Sequence, residues 1–192
     1  MGMSSGVMGY IQGLWIAVGI VWLAAALGAK QATRTQPVAT RAAHLALMIT
    51  AFSLLFYRRL EFGVLAWRVV PAEPALAWVG VVLTAAGCAI AIWARVLLGG
   101  NWSATVTVKQ DHRLVRRGPY AVVRHPIYSG GLLGLLGTAL ALGELRGFLG
   151  LALAFAGWWN KSRIEERFMT EQFGNAYIEY EREVKALIPF VL

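Results

Sequence analysis

Five stretches of this chain carry no Asp, Glu, Lys or Arg: residues 1–29, 42–57, 74–94, 125–143 and 147–160. No other feature limits the possible folds so sharply. A helix needs about 20 mostly apolar residues to cross a bilayer, and the first, third and fourth stretches meet that length. The stretch 42–57 is shorter, but Arg41, Arg58 and Arg59 at its ends can snorkel towards water. The stretch 147–160 follows the fourth after a few residues around Glu144 and Arg146. That spacing predicts a tight helical hairpin whose second arm runs on into the charged segment behind it. The composition agrees, with 58% apolar and 15% charged residues against about 45–50% and 25% in soluble domains. It excludes a water-soluble monomer and a disordered chain. Cys88 is the single cysteine, so no intrachain disulfide can form. The reading is an all-α integral membrane protein with about five transmembrane helices.

The 192 residues carry a formal net charge of +8. With five spans and the N-terminus outside, the inner segments 30–41, 95–125 and 161–192 hold 14 of the 18 Lys and Arg residues. The outer loops hold only Arg58, Arg59, Arg68 and Arg146. That asymmetry fits the positive-inside rule. It accounts for the basic balance with membrane lipids as partners and no nucleic acid. The rule applies to the bacterial inner membrane and the endoplasmic reticulum alike, and it places the C-terminus in the cytoplasm. The N-terminal stretch lacks the basic start of a signal peptide and is expected to be a retained first span.

Polarity is unevenly spread. Residues 1–94 read as a membrane anchor of three helices. Residues 95–192 carry two polar blocks, 95–124 and 161–192, on either side of the predicted hairpin, so both reach one membrane face. In the first block, 105–108 (Thr-Val-Thr-Val) alternates like a short extended segment. Gly118-Pro119 marks a turn, and His125-Pro126 suits a helix start, because proline is preorganised for the first helical position. In the second block, Ile164 and Phe168 lie four apart among charges, as on an amphipathic helix leaving the membrane. Phe173, Tyr177 and Tyr180 extend its aromatic stripe past Gly174.

Several chemistries lack their residues. There are three histidines, one cysteine and no HExxH run, so no metal motif exists. Asp111 is the only aspartate and GxSxG is absent, which leaves no basis for a serine hydrolase. No GxGxxG follows a strand, which excludes a Rossmann methyltransferase and a standard dinucleotide site. What remains is His112, Tyr120, Arg124, His125 and Tyr128 in one block and Lys161, Arg163, Glu165 and Glu166 in the other. His125 and Tyr128 share a helix face three residues apart. On a plain reading Tyr120 and Tyr128 are interfacial aromatics, and Arg116, Arg117 and Arg124 hold lipid headgroups. Lys161/Glu165 and Arg163/Glu166 have the spacing of helix ion pairs. Gly130, Gly131, Gly134 and Gly137 allow close helix packing.

The order Gly99-Gly100-Asn101-Trp102-Ser103, His112-Arg113-Leu114-Val115, Gly118-Pro119-Tyr120, Arg124-His125-Pro126-Ile127-Tyr128, Glu165-Glu166, 173–180 and Leu187-Ile188-Pro189-Phe190 resembles the isoprenylcysteine carboxyl methyltransferase family and its prokaryotic relatives. The match covers residues 97–192. The resemblance implies an integral membrane enzyme that uses S-adenosylmethionine (SAM). It implies a cofactor site of His112, Arg113, Leu114, Val115, Tyr120, His125, Pro126, Tyr128, Glu165 and Glu166, with Glu166 facing the methionine end of SAM. The physics is consistent: an ammonium and a sulfonium favour a nearby carboxylate. The chain departs from the family at one position. Prenylcysteine methyltransferases place an arginine five residues before that glutamate to hold the substrate carboxylate, and here Lys161 stands there. Lysine is a point charge without arginine's fork. Lys161, Arg163 and Glu166 are therefore the expected catalytic residues, with Lys161 or Arg163 steering the acceptor.

The expected reaction is direct methyl displacement onto a lipidic carboxylate that enters from the bilayer, with no base needed. Alignment of the reactants can supply about 7–11 kcal/mol. Three alternatives stand beside it. Phospholipid amine methylation would need a base such as Glu165 or His125. A sterol-type reductase would need NADPH, and a membrane scaffold would need no ligand.

Overall fold

A computed structural model of the chain describes residues 2–26, 34–35, 37–99, 107–108 and 114–192, and the side chains of 6–25, 37–99 and 114–192. It contains α1 (Gly2–Ala26), β1 (Arg34–Thr35), α2 (Val38–Phe56), α3 (Pro74–Leu98), β2 (Thr107–Val108), α4 (Pro126–Leu142), α5 (Leu145–Phe173) and α6 (Asn175–Glu183). Helices α1, α2 and α3 are each long and apolar enough to cross a membrane. Their outward faces stay apolar, with Ile16, Ile20, Leu45, Ile49, Val79 and Val82 all exposed. Such faces suit lipid and not water. α4 has 17 residues and joins α5 through Gly143 and Glu144, which is the expected hairpin. Gly143 makes the turn at φ 70°, in the left-handed region that glycine enters without strain. α5 is 29 residues long, about 43 Å at 1.5 Å per residue. It is longer than a hydrocarbon core of about 30 Å is thick, and its charges cluster in its C-terminal half.

The extended reading of 105–108 is realised at Thr107–Val108, which pairs antiparallel with Arg34–Thr35. This two-residue ladder brings the loop after α1 beside the loop after α3. Arg95 reinforces the same end. Its guanidinium donates to Gly99 O (3.0 Å) and Ala25 O (2.9 Å), a cation set against the C-termini of two helices.

Lipid offers no hydrophobic force to press helices together, so close backbone packing must do it. α3 and α4 show how. A Cβ added at Gly87 would lie 2.3 Å from the backbone N of Gly134 and 2.4 Å from Gly130 O. Thr84 seals this contact, donating to Gly80 O (2.8 Å) and reaching Gly134 O (3.1 Å). Trp15 of α1 adds a bond from Nε1 to Thr138 Oγ1 at 3.0 Å. α2 packs on α5 in the same way, with Gly150 facing Ala51 and Leu55, and Gly157 facing Leu47 and Met48. The glycines singled out in α4 thus serve packing. At the far end of the bundle, buried Arg146 donates to Glu144 (2.6 Å) and to the carbonyls of Leu54 (3.3 Å) and Tyr57 (3.4 Å).

The boundary drawn at residue 94 falls inside α3, whose closest backbone packing is with α4. Gly87→Ala should lower the unfolding temperature in detergent by several degrees, since the new methyl meets backbone and overpacking costs about 1–3 kcal/mol. Gly13→Ala in α1 has open space around it and should leave that temperature unchanged or raise it, because alanine is the better helix former. Equal effects of the two changes would contradict this packing.

Candidate functional site

The predicted polar cluster assembles where α4 begins. Pro126 opens the helix and is fully buried, and His125 precedes it at φ −121°, ψ 60°, outside helical geometry. The C-terminal segment folds against this junction. The backbone N–H groups of Arg124 and His125 donate to Lys185 O (2.8 Å) and Ala186 O (3.0 Å), and Ser129 Oγ donates to Leu187 O (2.6 Å). The start of α4 and the C-terminal segment are thereby joined at one point.

Glu166 of α5 is the centre of the charge network, and its side chain is only 6% exposed. Its Oε1 accepts from Arg124 Nη2 (2.6 Å) and Nε (3.1 Å) and lies 3.2 Å from His125 Nε2. Its Oε2 accepts from Arg163 Nη1 at 3.2 Å. Arg124 also donates to the carbonyls of Glu181 (3.1 Å) and Val184, tying the end of α6 to the site. The headgroup reading of Arg124 is therefore corrected: this arginine is buried in an ion pair. Burial forces that outcome, because an unpaired guanidinium out of water is expensive. Arg116 is likewise engaged, with a salt bridge to Glu183 and its guanidinium over the Tyr180 ring.

Glu165 points the other way. Its Oε1 accepts from Tyr128 Oη at 2.6 Å, and its Oε2 lies 3.5 Å from His125 Nδ1. With 22% of its side chain exposed, Glu165 is more open than Glu166. His125 and Tyr128 stack with centroids 5.6 Å apart, and Trp158 of α5 extends the stack at 5.8 Å. Gly131 makes room for Trp158, since a Cβ there would come within 2.6 Å of the indole. Lys161 Nζ lies 5.7 Å from the Tyr128 ring centroid. The result is a row of three flat rings with two carboxylates beside it and the Lys161 ammonium over the Tyr128 ring.

His125, Tyr128, Lys161, Arg163, Glu165 and Glu166 thus come together as read from the sequence. Tyr120 stands further back, buried, its hydroxyl 3.4 Å from Ala94 O and its carbonyl accepting from Tyr180 Oη at 2.5 Å. Leu114 and Val115 are half-buried on the approach to the Gly118–Ala121 turn. His112 and Arg113 lie outside the described residues. Trp158 was missed, although Trp158, Lys161 and Glu165 fall at i, i+3 and i+7 on one helix face. No group of three or more His, Cys, Asp or Glu residues suited to a metal occurs among the described residues.

The charges set each other. Burial alone would raise the Glu166 carboxyl, but hydrogen bonds from His125 and Arg124 and their charges hold it at about 2. Glu165 is also lowered: burial opposes this, and the His125 hydrogen bond and the Lys161 charge outweigh it. Burial disfavours the His125 imidazolium, yet hydrogen bonds to Glu165 and Glu166 and their charges raise its pKa. Its stabilising effect is complete below its ordinary value of 6.5 and fades as the pH climbs through the raised one. The effect of Glu166 is complete above 4.5 and fades as the pH falls towards about 2. Unfolding temperature in detergent should therefore peak between about pH 5 and 6.5, and His125→Gln should flatten its alkaline decline. A profile identical to that of the unaltered protein would contradict the pairing. Glu166→Gln removes the nearer counter-charge of Arg124 and leaves it Glu181 at 3.5 Å; it should cost about 3–5 kcal/mol by chemical denaturation.

Comparison with known proteins bears on this arrangement. The family model for phospholipid methyltransferase matches residues 75–176. A probable protein-S-isoprenylcysteine O-methyltransferase of Oryza sativa subsp. indica is 31% identical over 120 residues, covering 60% of this chain and 62% of the relative. The protein-S-isoprenylcysteine O-methyltransferase of Schizosaccharomyces pombe is 35% identical over 101 residues, covering 51% and 43%. The cobalt-zinc-cadmium resistance protein CzcN of Cupriavidus metallidurans is 30% identical over 131 residues, covering 68% and 56%. The chain thus spans between 43% and 62% of the length of these relatives. A solved structure of the eukaryotic intramembrane Ras methyltransferase ICMT superposes with a TM-score of 0.56 at 25% identity, covering 78% of this chain and 53% of that one. The matched span takes in α4, the hairpin and both glutamates, and with more than half of its residues inside it the chain belongs to the phospholipid methyltransferase family, within which it resembles the isoprenylcysteine carboxyl methyltransferases.

Proposed function

We propose that the protein methylates the carboxylate of a lipidic acceptor, an S-prenylated cysteine, with SAM as donor. The observation that carries this reading is the meeting of the His125–Tyr128–Trp158 ring row with Glu165, Glu166 and Lys161 at one end of the bundle. Its donor set suits SAM. A carboxylate answers an ammonium or a sulfonium, and aromatic faces attract cations. Glu165, the more open of the pair, is the first candidate to meet the amino-acid end, and Glu166 backs it by holding His125 and Arg163 in place. SAM, when bound, supplies an electrophilic methyl carbon on a sulfonium.

The residues then have two tasks. One is to orient the acceptor, and Lys161 beside Tyr128 is the cation placed for a carboxylate. Arg163 is turned elsewhere, bonded to Glu166 and stacked over Trp159 at 5.7 Å. The other task is to exclude water, so that the carboxylate loses the hydration that blunts it as a nucleophile. No base is required, because the carboxylate is ionised at neutral pH. An amine acceptor must instead lose a proton to a base. Glu165, lowered by His125 and Lys161, is a poor base for that purpose. The carboxylate reading is favoured on this ground. Residues 95–192 then form the working core and 1–94 carry the helices that hold it in the bilayer. The positive-inside asymmetry puts the N-terminus outside and the site at the cytoplasmic face.

The test is incubation of purified protein with methyl-labelled SAM and either N-acetyl-S-farnesylcysteine or phosphatidylethanolamine vesicles. The expected product is a base-labile methyl ester of the farnesylcysteine, with no label in the vesicles. Label in phosphatidylethanolamine and none in ester would overturn the proposal. Glu165→Gln should weaken SAM binding about tenfold or more by calorimetry, the loss expected when one charge-assisted bond goes.

A further inference from the structure

α2 sets one polar side chain against this site. His44 lies six residues into that helix and is half-buried, while its neighbours Leu45 and Ile49 face lipid. An ionisable residue in such a helix is costly and calls for a role. His44 packs on Gly157 of α5, where a Cβ would lie 3.7 Å from His44 Cε1, and the ring hydrogen-bonds the Gly157 backbone. Lys161 lies one turn beyond Gly157 on the same face of α5 and Glu165 two turns beyond. The charges of both act on the His44 ring. Tyr128 of α4 sits below the Lys161 ammonium. His44 thus packs on α5 one turn from Lys161, and the Lys161 ammonium lies over Tyr128 of α4.

We infer that His44 and Lys161 together form the carboxylate clamp for the acceptor. This rests on the proposed function. A carboxylate presents two oxygens. An arginine fork meets both, whereas a lysine ammonium is a compact point charge that meets one well. The imidazole N–H of His44 supplies the second donor from the neighbouring helix. That N–H now bonds the Gly157 backbone. The Gly157 carbonyl lies inside the continuous helix α5 and already accepts from the helix, so its bond to His44 is supernumerary. Exchanging it for a bond to an anionic oxygen is favourable, since charge-assisted hydrogen bonds are roughly twice as strong as neutral ones. The clamp also sits where α2 meets α5, beside lipid-facing Leu45 and Ile49. An amphiphile with its chain in the bilayer would bring its carboxylate to that level.

The experiment uses the full chain in nanodiscs with SAM and N-acetyl-S-farnesylcysteine. His44→Ala should raise KM for the farnesylcysteine roughly tenfold while KM for SAM moves less than about twofold. His44→Gln keeps an N–H donor and should recover most of that loss. An unchanged acceptor KM in His44→Ala, with the unaltered protein active, overturns the clamp and leaves the proposed function standing. So does an equal rise in both KM values with no recovery in His44→Gln, which marks a packing contact only. Absence of ester formation by the unaltered protein overturns the proposed function and the clamp with it.

Discussion

The Glu166 carboxylate, buried between Arg124, His125 and Arg163, is the interaction on which the rest of the site depends. It joins Glu166 to His125 and Arg124, 41 and 42 residues earlier in sequence, and reaches α6 and the C-terminal turn through Arg124. Removing charges from water is expensive, and a buried pair roughly compensates that cost only when hydrogen bonds satisfy the remaining lone pairs and protons. Here they do. The value of the network lies less in net stability than in fixing one geometry. Glu165, one residue away on α5, must then face Tyr128 and His125, and the ring row must lie alongside.

The same economy of charge marks the opposite end of the bundle. Arg146 and Glu144 pair at the hairpin turn, with Glu61 nearby at 3.9 Å. Between these two ends the helices meet through glycine, alanine and threonine. Backbone groups inside a bilayer have no water to turn to, so helices must satisfy their own hydrogen bonds, and close packing must hold them together. The polar chemistry is thus confined to the ends, and the end with more cations carries the ring row. That distribution supports a reactive centre served from two solvents, a soluble charged donor from the aqueous side and a lipidic acceptor from the bilayer.

In the proposed reaction Lys161 meets the acceptor carboxylate without arginine's fork. A single lysine gives attraction with little orientation. Orientation must then come from neighbours on other helices. The ring of Tyr128 limits where the ammonium can go, and α2 borders the same space. Helix α2, which reads as part of an anchor from its composition, packs against α5 one turn from Lys161.

Much of this was legible without coordinates. Charge-free runs of bilayer length, the Arg and Lys asymmetry, and proline after His125 determined an all-helical membrane protein with its polar blocks at one face. The hairpin was readable from the few residues between 143 and 147, and the cluster of His125, Tyr128, Glu165 and Glu166 from residue type and order. Pairing was not readable. Arg124 and Arg116 look alike in sequence, yet one is buried against Glu166 and the other is half-exposed against Glu183. Neither Trp158 nor His44 was marked out by the sequence. Local rules such as helical period, caps and hydropathy act over a few residues, so the chain itself determines where helices start and which faces are apolar. Which cation meets which carboxylate depends on contacts between distant segments, such as Arg124 with Glu166 at 42 residues' separation and Arg116 with Glu183 at 67. Only the packed helices decided those, because burial leaves each charge with no option but the partner that tertiary structure brings to it.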